Sequence, residues 1–119
     1  MNQYEVPALM ADELPEIKTD LKHLPVLGNV NSAMRILADF TSRMIKQGNY
    51  VMVRKCMRLA DRMYSRGNNL VRTAVENVFV FSFSSLKLSC NRSEWRFLQA
   101  RMPVTLYSLY INQVNRTGV

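Results

Sequence analysis

The chain has 119 residues, 48% of them apolar, with 16 Lys and Arg against nine Asp and Glu, a formal net charge of +7. That apolar share excludes a disordered chain, and the length predicts one domain, residues 1–119, with a single core. No apolar run reaches 18 residues free of charge, so no transmembrane span is expected, and the carboxylate-bearing N-terminus, without a basic leader, reads as no signal peptide.

The charge is unevenly spread. Residues 1–20 hold five acids (Glu5, Asp12, Glu13, Glu16, Asp20) and one base (Lys18), a balance of −4. The other 99 residues hold 15 bases and four acids, a balance of +11. Residues 1–28 therefore read as an acidic helical arm that either folds back on a basic body at 31–115 or stands out as an interaction tail. Within the arm, Met10, Leu14, Ile17, Leu21 and Leu24 follow a 4-3-4-3 spacing, one apolar stripe of a helix. Pro15 predicts two short pieces broken near Leu14, and Pro25 and Gly28 end the region. His23, near that end, reads as a helix cap rather than a metal ligand, since no second ligand stands near it.

The next two helices repeat one design. Asn31 reads as an N-cap and Gly48 as the stop of the first, with Ala33, Met34, Leu37, Phe40, Thr41, Met44 and Ile45 on its core face. Asn49 caps the second and Gly67 closes it, with Val53, Cys56, Met57, Ala60, Met63 and Tyr64 facing the core. Such tight joints predict antiparallel neighbours. The run Leu70 to Leu88 is the most apolar of the chain, its only charges being Arg72, Glu76 and Lys87. Alternation of Phe79, Phe81 and Phe83 makes a strand its rival reading, but its length and the Gly67-Asn68-Asn69 start favour a buried central helix near 69–88. Ser89 to Ser93 reads as a loop, with Ser93 capping a short helix at 94–102. Pro103 then opens a last helix facing inward through Leu106, Tyr107, Tyr110 and Val114, before a fraying tail from Asn115. The expected fold is an all-α bundle of five to six antiparallel helices, helical-repeat-like.

Gly48-Asn49-Tyr50, Tyr64 and Ala74 are similar to a tetratricopeptide-type helical hairpin, although the unit is longer than that repeat and lacks its Trp and Pro positions. Gly67-Asn68, Val71, Ala74, Asn77-Val78-Phe79-Val80, Met102-Pro103 and Leu106-Tyr107 resemble small uncharacterised bacterial all-α domains over residues 31–115. That resemblance implies a helical fold and no particular activity.

Little in the chain points to catalysis. There is one histidine, and Cys56 and Cys90 lack CxxC spacing and read as idle thiols of a reducing cytoplasm. No HExxH and no glycine-rich phosphate loop occur, so no enzyme, metal or cofactor is expected. The most pointed constellation is Arg54, Arg58, Arg62 and Arg66, with Lys55 alongside. Spacing of four keeps these side chains along one drifting helix edge. That edge reads as a solvated or internally paired face, as a surface for an acidic partner, or as a phosphate-backbone contact. Glu76, inside the apolar run, is expected to pair with an arginine of the preceding helix. Eight methionines predict an adaptable core or a pliable groove. The expected role is a non-enzymatic cytoplasmic protein–protein interaction module. A nucleic-acid-associated protein and a homodimeric structural module are the alternatives.

Overall fold

The computed structural model describes residues 1–24 and 29–117. The stop expected at Pro25 and Gly28 lies outside the described residues. The described chain is helical without a strand, and buried side chains from every helix meet in one apolar cluster.

Helix α1 (Val6–Glu13) ends because Pro15 bars Leu14 from helical geometry; Leu14 sits at φ −130° and ψ 78°. A 3-10 turn, Pro15–Ile17, then leads into α2 (Lys18–Lys22), so the arm breaks where the proline predicted. Met10, Leu14, Ile17 and Leu21 are buried and Leu24 packs against them, which confirms the stripe. His23 caps α2 through its backbone N–H, donated to the carbonyl of Asp20, while its imidazole stays exposed.

Helix α3 (Val30–Lys46) is capped two residues before the expected cap. Asn29, not Asn31, accepts the Ser32 N–H at 3.2 Å. The earlier start lets Val30 bury in register with Ala33 and Leu37. At the far end Gly48, at φ +70°, donates to Ile45 O and Asn49 to Met44 O, a Schellman closure. Asn49 then caps α4 (Tyr50–Arg66) by accepting the Met52 N–H. All the predicted core positions of α3 and α4 are buried except Tyr64, which is half-buried. Leu59 joins them.

The central run is helical, but neither uniform nor buried all round. Asn68 caps α5 (Asn69–Ala74), a π segment follows over Val75–Val80, and α6 (Ser82–Ser89) completes it. The π turn is registered by the Phe81 N–H donating to the carbonyl of Glu76, five residues back. One extra residue in a turn rotates everything after it by about 100°. Phe79, Val80 and Phe83 thereby turn into the core, and Phe81 turns straight out, 58% exposed. Leu70 and Leu88 are exposed as well, so the run has one buried face rather than none outside.

Helix α7 (Arg92–Arg101) is capped by Asn91, not by Ser93. Asn91 accepts the Glu94 N–H and Glu94 accepts the Asn91 N–H, a reciprocal box that places Ser93 inside the first turn. Asn91→Ala is therefore expected to cost about 1 kcal/mol and Ser93→Ala less than about 0.5, read as shifts in the urea midpoint. Met102 is extended before Pro103, as predicted. Helix α8 (Val104–Thr117) buries Leu106 and Tyr110, half-buries Val114, and leaves Tyr107 exposed. It keeps Asn115 and Arg116 helical where fraying was expected. The described residues form eight α-helical stretches, a 3-10 turn and a π segment, more pieces than the five or six helices expected, and the unforeseen division is the π segment within the central run.

Candidate functional site

The basic edge of α4 does not survive as one surface. Each step of four residues rotates about 40° around a helix, so Arg54 and Arg66 point about 120° apart. Arg54, Arg58 and Asp61 share a cleft of about 440 Å³ with Ala100, Arg101 and Pro103. Arg62 instead reaches the arm, its Nη2 3.0 Å from Glu13 Oε1, the only ion pair within 4.0 Å among the described residues. Both of its members are partly exposed, and such a pair adds about 1 kcal/mol or less. The exposed Arg66 offers its carbonyl to the amino group of Met1 at 2.8 Å. Asn68 donates to Met1 O and to Gln3 Oε1, so the acidic arm docks on the body at the α4–α5 joint. Lys55 is exposed.

The sequence reading missed Arg101 as a neighbour of Arg54 and Arg58. Its guanidinium lies 3.7 Å over the ring of Phe97, which packs in turn on Tyr50 with centroids 4.2 Å apart. The i, i+4 spacing of Phe97 and Arg101 and of Tyr50 and Arg54 was readable. That α7 brings one pair to the other was not.

Glu76 takes a different partner from the one expected. The Tyr64 hydroxyl donates to its Oε1 at 3.1 Å, and Gln113 Nε2 donates to its carbonyl at 2.7 Å. Arg72 lies over the Tyr64 ring at 4.8 Å, so the nearby guanidinium is engaged by a π face. Glu76 is only half-buried, and a neutral donor suffices there.

A groove of about 420 Å³ lies between α3 and the π–α6 run, beside the central helix. Arg35, Ser42 and Lys46 form one wall, and Asn77, Phe81 and Ser85 the other. The groove mixes hydrogen-bonding and cationic groups with one large exposed ring. Phe81, 58% exposed just after the π segment, stands in its wall.

A family model described as Domain of unknown function (DUF7674) matches residues 7–116. The chain belongs to that family. Its span takes in the helical region read from the sequence over 31–115 and most of the acidic arm, so arm and body form one family unit. No curated protein and no solved structure matches the chain.

In this DUF7674 member both cysteines are free. Burial pushes the Cys56 thiol from 9.0 up to about 11, outweighing the lowering effect of its hydrogen bond with Thr41, and burial also raises Cys90. Both therefore carry their protons at neutral pH and are poor nucleophiles. Between pH 9.0 and about 11 the unfolded Cys56 loses a proton that the folded one keeps. Stability falls with rising pH there, by up to about 1.4 kcal/mol per unit. Urea titrations at pH 8, 9 and 10 should show this slope in wild type and a shallower one in Cys56→Ala. Among the described residues no group of three or more His, Cys, Asp or Glu is placed to hold a metal ion. Nor is any described helix long and apolar enough to cross a membrane.

Proposed function

We propose that the protein is a non-enzymatic interaction module of the cytoplasm, which docks a protein segment in the groove between α3 and the π–α6 run. Phe81 carries the reading. A phenylalanine 58% exposed gains most by being covered, and it stands on the rim of a groove whose walls supply the polar contacts a peptide needs. The π turn that holds it outward belongs to a class of distortions found often at functional sites. Arg35 and Lys46 against one acid, Asp39, favour a partner segment bearing carboxylates. The tight joint at Gly48 supports antiparallel packing of α3 and α4, which gives the groove a stiff wall.

The test places a photoreactive phenylalanine at position 81 of the full chain and irradiates native lysate with and without nuclease. One protein should crosslink regardless of nuclease, and in purified form it should bind wild type at least tenfold better than Phe81→Glu or Lys46→Glu. A crosslink only to the chain itself, at twice 13.8 kDa, would replace this reading by the homodimer. Crosslinks that vanish with nuclease would replace it by nucleic-acid association.

A further inference from the structure

We propose that the cleft between α4 and the α7–Pro103 joint is a binding site for a compact dianion, a phosphate monoester carried on a small molecule or on a phosphorylated side chain. The inference is independent of the groove at Phe81. Arg54 and Arg58, one turn apart on α4, and Arg101 from the end of α7 line this one cleft of about 440 Å³. Asp61 is the single carboxylate in its wall, leaving a lining charge of +2. None of the three guanidiniums has a carboxylate within 4.0 Å among the described residues; the one ion pair found there belongs to Arg62. Planar guanidinium forks match phosphoryl oxygens two at a time, and three around one cleft offer more donors than a singly charged anion uses. Arg101 is held in advance, its guanidinium 3.7 Å over Phe97, with Phe97 packed on Tyr50. Fixing the side chain before the ligand arrives removes part of the ordering cost of binding.

Two observations favour a compact anion over a nucleic-acid backbone. A polyanion must track several phosphates, but the edge stops being basic one step further on, where Arg62 is held by Glu13 of the acidic arm. Single strands also need open aromatic faces to stack on, and Phe97 beside the cleft is already covered by Tyr50 and Arg101.

The experiment titrates the 15N-labelled full chain at constant ionic strength with inorganic phosphate, a nucleoside monophosphate, a phosphoserine peptide and a twelve-nucleotide single strand. Expected are saturable shifts of the Arg54, Arg58 and Arg101 side-chain N–H signals with phosphate. Tighter binding should follow for whichever monoester is the natural form, the nucleotide or the peptide. Arg58→Gln should weaken binding at least tenfold, and Arg62→Gln less than twofold. Non-saturating shifts spread over all exposed arginines would overturn the site, as would equal losses from Arg58→Gln and Arg62→Gln. Tightest binding by the single strand, weakened as much by Arg66→Gln at the far end of the edge as by Arg58→Gln, would overturn the compact anion in favour of nucleic acid.

Discussion

Phe79→Ala and Phe83→Ala are each expected to cost about 3–5 kcal/mol, while Phe81→Ala stays within about 0.5 kcal/mol of wild type. The three rings lie two residues apart, and only their rotation about the helix separates them. Phe79 and Phe83 are fully buried, their ring centroids 5.3 Å apart and edge-on, and Phe83 also meets Tyr110 at 6.2 Å. Removing either ring leaves a cavity in the core that close-packed neighbours fill only in part. In an unbroken α-helix continuing from Val71, Ala74 and Val75, the inward positions would pass to Val78 and Ser82, and Phe81 would sit on a flank. The ordering of the three alanine variants in urea midpoints therefore measures the π turn. A Phe81→Ala loss equal to that of Phe79→Ala would mean that the turn is absent in solution. A cost of about 3–5 kcal/mol is a large share of the 5–15 kcal/mol typical of a whole domain, so the two core variants should be partly unfolded at 37 °C.

The same turn marks the limit of what the sequence could say. Helices α3 and α4 were legible because their apolar residues keep a 3.6 period between an asparagine cap and a glycine stop, signals that are local and reinforce one another. The arm was legible for the same reason, with Pro15 acting on its own neighbour Leu14. The run from Leu70 to Leu88 is apolar on most positions, so several registers would bury similar area. Packing against α3 and α8 selects among them, and packing is not local. Its exposed face, with Phe81 and Leu88, could not be told from its buried one by composition. The Asn91 and Asn29 caps were each missed by two residues, because a neighbouring Ser93 or Asn31 offers the same side-chain chemistry.

The arginine edge shows the complementary limit. Spacing of four was correctly read as a drifting row, yet the drift itself decides the outcome, handing Arg54 and Arg58 to α7 and Arg62 to α1. Charge asymmetry left two readings of the arm open, folded back on the body or standing out, and only the folded structure, with Arg62 on Glu13, selects the first. Glu76 was expected to meet an arginine of the preceding helix, and what it meets there is the Tyr64 hydroxyl, while Arg72, from its own run, lies over the same ring.

Gly67→Ala is expected to destabilise the protein by about 2–3 kcal/mol, more than the same change at Gly48, although only Gly48 has a backbone that demands glycine. Gly67 lies at φ −76° and ψ 153°, open to any residue, where replacing glycine by alanine would otherwise stabilise by about 0.4–1 kcal/mol through the unfolded chain. What forbids alanine is space. An added Cβ would stand 2.5 Å from the carbonyl oxygen of Met63, 2.5 Å from Val71 Cγ1 and 2.6 Å from Val71 Cβ. Two of these belong to backbone or to a β-branched centre, so no rotamer change relieves them, and α4 and α5 must separate. Gly48, at φ +70° with nothing within 4 Å of an added Cβ, meets only the left-handed penalty of about 1–2 kcal/mol, and Gly48→Asn should recover part of it. The consequence of the Gly67 change is also placed differently. Arg66 and Asn68 on either side of it hold Met1 and Gln3, so parting the joint loosens the arm. Amide exchange in α1 should then rise by a larger factor than exchange in α3, whereas Gly48→Ala should raise both alike. If Gly67→Ala raised exchange equally throughout, the arm would be held by its apolar stripe alone, and the joint would have no part in docking it.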